Sequence, residues 1–188
     1  PPEKNIAKIS MNLLAAYYAC KELVVTAADF VPAIAAFTGA AKRLELLASG
    51  KNTNVYRDFA HAPSKVKATI EALKQQYPGR KLVGILELHT YSSLNEQFMP
   101  EYRGAMDKAD IAVVFYSNHA LELKRMPYLP VSKVYEGFGK EGLLIMNDKD
   151  TLWEWLQSQR YENANIVLMS SGNYDGLDML TFAKQITL

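Results

Sequence analysis

The pattern that decides the fold lies in residues 37–63, which read FTGAAKRLELLASGKNTNVYRDFAHAP. Two apolar segments, 41–48 and 53–58, are separated by a hairpin-type Ser-Gly-Lys-Asn turn and are predicted to be strands. Asp58 ends the second segment. Pro63 suits the first position of a helix, because its missing N–H needs no partner there. An open α/β sheet places ligand groups where a strand ends and a helix begins, so this region is also a candidate site.

Beyond Pro63 the sequence alternates between helix and strand patterns. Val66, Ile70, Leu73 and Tyr77 repeat on one helical face until Pro78-Gly79 ends it. The inner strands are continuous apolar runs, which predicts that helices cover both faces. Right-handed crossovers then give an α/β, Rossmann-like, doubly wound, mostly parallel sheet of about six strands. The later strands are predicted at 82–86, 111–115, 143–146 and 166–169, and the later helices at 95–107, 131–138, 150–159 and 176–186.

A helical hairpin is predicted before the sheet. Apolar residues keep helical spacing over 9–23 and again over 27–37, where Thr38-Gly39 stops the pattern. Cys20 lies on the apolar face of the first helix, which favours a packed thiol over a nucleophile. We therefore divide the chain into a helical segment, 1–38, and the sheet domain, 39–188.

Composition excludes several classes of function. The 188 residues suffice for one full core, and a net charge of +1 gives no electrostatic reason to expect nucleic acid or an anionic membrane as partner. One cysteine fits a reducing compartment, and no apolar run reaches the ~18 residues of a membrane span. The chain opens Pro-Pro-Glu-Lys rather than with methionine. We expect it to be a domain excised from a longer cytoplasmic protein.

Asp58 and Arg43 are the first two candidates for ligand contact. A carboxylate after a strand can accept two hydrogen bonds from a ribose diol, although Asp58 could instead cap the helix at Pro63. The pattern places Arg43 in the first strand, where its planar guanidinium could bind phosphate or ribose oxygens. The alternative for Arg43 is an ion pair at the sheet edge with Glu45 or Glu87.

Three further segments carry candidate ligand-binding groups. His61 could stack on a base or donate to a phosphate, or it could pack against the turn. The loop 170–176, SSGNYDG, follows the last strand and could wrap a small polar ligand, or it could be an ordinary glycine-rich turn. The stretch 87–95 also follows a strand, so its side chains and those of the loop are expected to face one crevice.

Other motifs are interpreted as structural. Residues 137–142 match G-x-G-x-x-G, but they follow a helix and lead into a strand, which is the reverse of the dinucleotide-binding order. His89 and His119 are too far apart in sequence to indicate a metal pair, so no zinc site is expected. Lys124-Arg125 is interpreted as a solvated pair of loop residues.

The opening stretch resembles the start of the C-terminal domain of Mur ligases, which add amino acids or peptides to cell-wall precursors at the expense of ATP. That family has Gly-x-x-x-Arg-x-Glu followed by Asp-Tyr/Phe-Ala-His-x-Pro, and both patterns occur here, beginning at Gly39 and at Asp58. The resemblance implies that Arg43, Asp58 and His61 contact ATP. It also implies that the loop carrying Ser170, Ser171 and Asn173 holds the incoming amino acid or peptide.

Within this family the chain is most similar to the muropeptide-recycling branch, which attaches a recycled tripeptide to UDP-N-acetylmuramate. There the stretch after the third strand reads roughly Glu-Pro-Arg-Ser-Asn-Thr. Here Glu87 is kept, but Leu88 replaces the proline and His89 the arginine. The resemblance implies substrate contacts from Glu87, His89, Ser92 and Asn95. Two alternatives remain open, namely a related ligase such as a folylpolyglutamate synthetase and a Rossmann-like binding module without catalysis.

The sequence contains no Gly-x-x-x-x-Gly-Lys-Ser/Thr phosphate-binding loop. In Mur ligases that loop lies in a central ATPase domain, and the resemblance implies that residues 1–38 are the tail of that domain. ATP and Mg²⁺ would then be bound mainly outside this chain, while residues 39–188 would close over the ATP and deliver the amine. In the family, ATP converts a carboxylate to an acyl phosphate, which the amine attacks.

We predict that the isolated chain hydrolyses no ATP and forms no amide bond, because it lacks the phosphate-binding loop. Phosphate release by the purified chain measures this directly. ATP turnover above that of a heat-denatured sample would contradict it.

Overall fold

The structure is a computed structural model and describes residues 3–36 and 42–188, with side chains described from residue 13 onward in the first range. Backbone contacts divide the chain into two compact units, Pro1–Ala40 and Ala41–Leu188. Within the described residues, no helix is long and apolar enough to cross a membrane.

The first unit is the predicted helical hairpin. Helix α1 spans Glu3–Glu22 and α2 spans Ala27–Ala35. Thr26 caps α2, because its hydroxyl oxygen accepts a hydrogen bond from the Asp29 N–H at 3.3 Å. The rings of Tyr17 and Phe30 meet edge to face at 5.3 Å and join the two helices. The predicted stop at Thr38-Gly39 lies outside the described residues.

The second unit contains a six-stranded sheet, which confirms the predicted fold class. Strands β2 to β6 are parallel, and β1 pairs antiparallel with β2. The spatial order is β1-β2-β6-β3-β4-β5, so the last strand lies at the centre, between β2 and β3. The strands are β1 Glu45–Ser49, β2 Thr53–Asp58, β3 Lys81–Glu87, β4 Ile111–Phe115, β5 Leu144–Met146 and β6 Ala164–Met169.

Helices cover both faces of this sheet, as the continuous apolar strands predicted. On one face Leu82 and Leu86 of β3 pack with side chains of α3, and on the other Val83 and Ile85 pack with α6 and α7. The helices are α3 Pro63–Gln76, α4 Asn118–Leu123, α5 Val131–Phe138, α6 Lys149–Ser158 and α7 Met179–Ile186, and there are 3₁₀ segments at Glu96–Tyr102 and Tyr174–Gly176.

The structure corrects three element predictions. Strand β1 begins at Glu45 rather than at residue 41, because Lys42 and Leu44 have φ of 57° and 47°, which a strand does not accommodate. Arg43 therefore precedes the strand. The helix predicted over 95–107 is a 3₁₀ segment of seven residues followed by turns, and it contains Pro100, which lacks the N–H that an α-helix needs. Helix α4 was not predicted.

The G-x-G-x-x-G match ends a helix, as the sequence interpretation held. Gly139 caps α5 with a left-handed φ of 61°, and its N–H donates to the Tyr135 carbonyl at 3.0 Å. Gly137 serves a different purpose, because it lets α5 approach the backbone of the first 3₁₀ segment. A Cβ at Gly137 would lie 2.5 Å from the Met99 Cβ and 2.8 Å from the Met99 carbonyl oxygen.

We therefore expect Gly137→Ala to lower the free energy of unfolding by about 1–3 kcal/mol, because the added methyl group overlaps backbone atoms that cannot rotate away. Urea denaturation followed by circular dichroism measures the change. Gly79→Ala is the matched control, since a Cβ at Gly79 would meet nothing within 4 Å. Equal stability of the two variants would contradict the packing argument.

Candidate functional site

The carboxyl ends of the parallel strands lie along one edge of the sheet and carry the candidate polar groups. Asp58 ends β2, Glu87 ends β3, and Ser170 and Ser117 follow β6 and β4. The central strand links two of these groups, since the Ser170 N–H donates to the Asp58 carbonyl at 3.0 Å. Polar groups at the ends of neighbouring parallel strands are the usual basis of a ligand site in an open α/β sheet.

Glu87 is the most buried carboxylate at this edge, with 2% of its surface exposed. Its Oε2 accepts hydrogen bonds from the Ser170 hydroxyl and, at 2.9 Å, from the Tyr174 N–H. Ser170 Oγ in turn accepts from the Gly172 N–H at 2.6 Å. A buried carboxylate needs such donors, because without them its desolvation would be costly. The loop 170–176 is thus wrapped around Glu87.

Gly172 allows this loop to close. A Cβ at Gly172 would lie 2.6 Å from His89 Cγ and 2.8 Å from Glu87 Oε2. Glu87 Oε2 cannot move away cheaply, since it is held by its hydrogen bonds. Gly172 therefore packs directly against Glu87 and His89, in a loop for which the sequence left open both ligand binding and an ordinary glycine-rich turn.

Tyr174 and Asp175 turn the loop back toward α4. Both residues have positive φ, 54° and 55°. The buried Tyr174 hydroxyl lies 3.0 Å from the carbonyl oxygens of both Ile85 and Met169, and burial, followed by the charge of Glu87, raises the pKa of Tyr174 well above its usual value. The phenol therefore stays protonated and acts as a donor. Asp175 Oδ2 accepts from the Ser117 hydroxyl at 2.8 Å.

A pocket of about 300 Å³ lies between these segments. The structure thus brings together the two stretches that the sequence placed at one crevice. The polar side chains around the pocket carry both signs of charge, which suits a small ligand that carries both as well. They belong to Glu87, His89, Ser117, His119, Lys124, Asn173 and Asp175.

Four residues predicted from the family resemblance do not line this pocket. The exposed Ser92 hydroxyl lies 3.1 Å from that of Thr90, and Asn95 caps the first 3₁₀ segment by accepting from the Gln97 N–H at 2.9 Å. The Ser171 hydroxyl is buried and has no hydrogen-bond partner within the described part of the chain. Of the predicted substrate residues, Glu87, His89 and Asn173 line the pocket, and Ser170 supports it through Glu87.

Sequence reasoning missed the contribution of α4. Lys124, which the sequence analysis assigned to a solvated pair, lines the pocket together with Ser117 and His119. The signal was present, because Ser117 follows an apolar strand and its hydroxyl oxygen accepts from the Ala120 N–H at 3.3 Å, which starts the helix. The helix itself is too short to leave an apolar periodicity.

Asp58 is buried, and both of its oxygens are engaged. Oδ2 accepts from the Leu44 N–H at 2.6 Å, and Oδ1 accepts from the Ala60 N–H at 2.7 Å and from the Thr69 hydroxyl at 3.3 Å. The alternative of a cap for α3 is wrong, because the cap residue is Ala62 and makes no side-chain hydrogen bond. Asp58 fixes the segment that carries Arg43 beside the end of β2.

Arg43, Phe59 and His61 form an aromatic and cationic group on the surface beside Asp58. Arg43 is exposed, and its Cζ lies 5.5 Å from the centroid of the Phe59 ring. The His61 ring meets that ring edge to face at 5.1 Å, and its Nδ1 lies 2.8 Å from the Phe59 carbonyl oxygen. Since a carbonyl only accepts, Nδ1 carries a hydrogen, which leaves Nε2 directed elsewhere.

The proposed structural partners of Arg43 are occupied by other residues. Glu45 pairs with Arg57 at 2.9 Å, and the Lys42 N–H, followed by the Arg57 guanidinium, lowers the pKa of Glu45. Glu87 is held by Ser170 and Tyr174. The alternative of an ion pair between Arg43 and either glutamate is therefore wrong.

The chain belongs to the Mur ligase family, since the model of the Mur ligase, glutamate ligase domain matches residues 42–172. Its relatives include two UDP-N-acetylmuramate–L-alanine ligases. The one from Aquifex aeolicus is 28% identical over 86% of this chain and 35% of that protein, and the one from Paenarthrobacter aurescens is 34% identical over 56% of this chain and 23% of that protein. The aligned part of this chain thus spans about a quarter to a third of these relatives.

Solved structures share the fold. The murein peptide ligase of Psychrobacter arcticus has a TM-score of 0.68 at 20% identity, over 94% of this chain and 37% of that one. The folylpolyglutamate synthase of Mycobacterium tuberculosis has a TM-score of 0.52 at 20% identity, over 85% of this chain and 36% of that one. At such identities the likeness shows the fold alone.

The buried Glu87 carboxylate yields a prediction about the loop. Glu87→Gln keeps the size of the side chain but removes the charge from two hydrogen bonds. We expect a loss of about 1.5–3 kcal/mol in the free energy of unfolding and faster hydrogen exchange of the Tyr174 amide. Glu101→Gln is the control, since Glu101 is an exposed glutamate. Unchanged exchange at Tyr174 would show that Glu87 does not hold the loop.

Proposed function

We propose that this chain is the ATP-closing and amine-delivering part of an ATP-dependent Mur-type ligase that acts on UDP-N-acetylmuramate. The observation that carries the proposal is the arrangement at one sheet edge. Arg43, Phe59 and His61 lie beside the end of β2, and the pocket lies at the ends of β3, β4 and β6. Adjacent strands lie about 4.8 Å apart and β6 lies between β2 and β3, so these two strands are separated by about 10 Å. A nucleotide bound beside β2 and a small amine bound in the pocket would therefore be neighbours.

In the proposed reaction, a carboxylate oxygen of UDP-N-acetylmuramate attacks the γ-phosphorus of ATP, and ADP leaves. The amine then attacks the acyl carbon, the amide bond forms, inorganic phosphate leaves and the amine loses a proton. In this scheme Arg43 would bind the nucleotide through its planar guanidinium and His61 through Nε2. Asp58 would act mainly by holding Leu44 and Ala60, because its oxygens already accept from both.

Mg²⁺ would neutralise phosphate charge in such a ligase. The described residues contain no group of three or more His, Cys, Asp or Glu side chains that could hold a metal ion. The roles proposed for this chain therefore involve no metal contact. The ATP phosphates and the metal would be held by a central domain, and we propose that the hairpin of α1 and α2 is the end of that domain.

Two amines are candidates, and both present an L-alanyl amino group. The first is the recycled tripeptide L-alanyl-γ-D-glutamyl-meso-diaminopimelate, which the resemblance to the muropeptide-recycling branch implies, although Leu88 and His89 depart from the pattern of that branch. The second is free L-alanine, which is favoured by the names of the curated relatives and by a pocket at the lower end of the usual range for ligand sites. A folylpolyglutamate synthetase remains the rival ligase, and a binding module without catalysis is the rival from another class.

The test is release of ADP by the full-length protein. We expect release that requires both UDP-N-acetylmuramate and one of the two amines, with one amide product per ADP. The ratio of kcat/KM for L-alanine and for the tripeptide then identifies the branch. Turnover with a folate and glutamate, but not with UDP-N-acetylmuramate, would replace the proposal by the rival ligase, and no ADP with any pair would favour the binding module.

Arg43→Ala in the full-length protein should raise the KM for ATP about tenfold to a hundredfold, which corresponds to the ~1.5–3 kcal/mol of a charged hydrogen bond. Its melting temperature should not change, because the side chain is exposed. Arg160→Ala is the control. Arg160 is an exposed arginine that precedes β6, so it lies at the end of that strand opposite to the candidate site. Unchanged ATP kinetics would remove Arg43 from the nucleotide site.

Asp58→Ala should differ from Arg43→Ala. Its carboxylate accepts two backbone N–H groups, which the substitution leaves without a partner. We expect a raised KM for ATP together with a loss of about 1.5–3 kcal/mol in the free energy of unfolding, measured by ATP kinetics and urea denaturation.

A further inference from the structure

The residue that ends helix α4 gives the pocket a feature that the family motifs did not indicate, namely a lysine that forms no ion pair with a carboxylate among the described residues. Lys124 lines the pocket and is half-buried. The ion pairs among residues 42–188 involve other cations. Its Nζ lies 5.5 Å from the centroid of the Tyr91 ring, so the aromatic face holds the ammonium group while leaving its N–H donors free.

The same pocket contains carboxylate oxygens with spare capacity. Glu87 uses Oε2 and Asp175 uses Oδ2 for the hydrogen bonds that shape the loop. The second oxygens, Glu87 Oε1 and Asp175 Oδ1, accept no hydrogen bond from the described residues. Oε1 lies 3.6 Å from His89 Nδ1. The pocket therefore offers acceptors for an amino group and a separate donor for an anion.

We propose that Lys124 is a specificity-determining residue that binds a free carboxylate of the amine substrate, while Asp175 and Glu87 receive its amino group. Tyr91 positions the lysine, and Ser117 positions Asp175. The inference rests on the proposed function and names the residue that recognises its amine substrate. Both proposed amines carry a carboxylate, and we expect the same compounds without one to bind poorly.

A zwitterion is the ligand that satisfies all of these groups at once. Glu87 and Asp175 both line the pocket, and an ammonium group bound there is attracted by both carboxylates. A lysine donates to a carboxylate as a compact point charge, which tolerates small differences in ligand length. Free L-alanine and the tripeptide both carry the two charges, so the inference holds for either branch.

Binding to the 188-residue chain tests the inference without turnover. The probes are L-alanine, the tripeptide and the same two compounds with their carboxylates converted to carboxamides, each titrated into ¹⁵N-labelled protein. We expect at least one acid to shift the amide signals of 120–124 and 173–176. Lys124→Gln should weaken binding of that acid about tenfold, and Lys124→Arg should retain most of the wild-type affinity. Neither variant should alter the affinity for the carboxamide.

Arg125→Gln is the matched control, since it removes a positive charge from the next residue, which does not line the pocket. Its affinity for the acid should equal that of the wild-type chain. Three outcomes would each overturn the inference. The wild-type chain could bind acid and carboxamide equally, Lys124→Gln could bind the acid as well as the wild type does, or no probe could shift the signals of either segment.

Kinetics of the full-length protein separate this inference from the proposed function. Lys124→Gln should raise the KM for the amine about tenfold and leave the KM for ATP unchanged. Absence of turnover with UDP-N-acetylmuramate and either amine would refute the proposed function, and the titrations would still decide the role of Lys124. An active ligase whose KM for the amine is the same in Lys124→Gln as in the wild type would refute the inference alone.

Discussion

The candidate site depends on one constraint, the burial of a carboxylate at the end of β3. Glu87 is 2% exposed, and it receives a hydroxyl and a backbone N–H from the loop that follows β6. Because an unpaired buried charge is costly, these hydrogen bonds hold the loop in an arrangement that satisfies the carboxylate. That arrangement places Asp175 beside Ser117 and leaves a pocket between them. The shape of the pocket thus follows from an electrostatic requirement inside the sheet.

The sheet order makes this loop a link between two groups of residues. Since β6 lies between β2 and β3, Ser170 contacts both neighbours: its N–H donates to the Asp58 carbonyl, and its hydroxyl donates to Glu87. Asp58 in turn fixes the backbone that carries Arg43. A change in the pocket could therefore reach the nucleotide candidates through one residue. A ligase that must hold an amine and a nucleotide in register would benefit from such a rigid link.

The fold is shared by ligases whose names specify different substrates, so the sheet itself does not select the amine. Selection belongs to side chains at its edge. Glu87 both holds the backbone of the loop and lines the pocket, whereas His89, Asn173 and Lys124 line the pocket from outside the strands. Differences of substrate within the family are therefore expected in these positions and in α4.

The sequence determined the sheet, its covered faces and the positions of its ligand-bearing edge, because continuous apolar strands, Pro63 and the break at Pro78-Gly79 are local signals. The stretch 87–95 and the loop 170–176 were placed at this edge for the same reason, whereas the substrate roles of Glu87, His89 and Asn173 came from the family resemblance and stay predictions. Only the tertiary structure decided which groups were free to bind. Asp58 turned out to be occupied by Leu44 and Ala60, Asn95 to cap a 3₁₀ segment, and Lys124 to line the pocket. Some of these outcomes depend on hydrogen bonds and contacts between residues distant in the chain, and others on turns too short to leave a periodicity. A pattern of residue types along the sequence shows neither such contacts nor such turns.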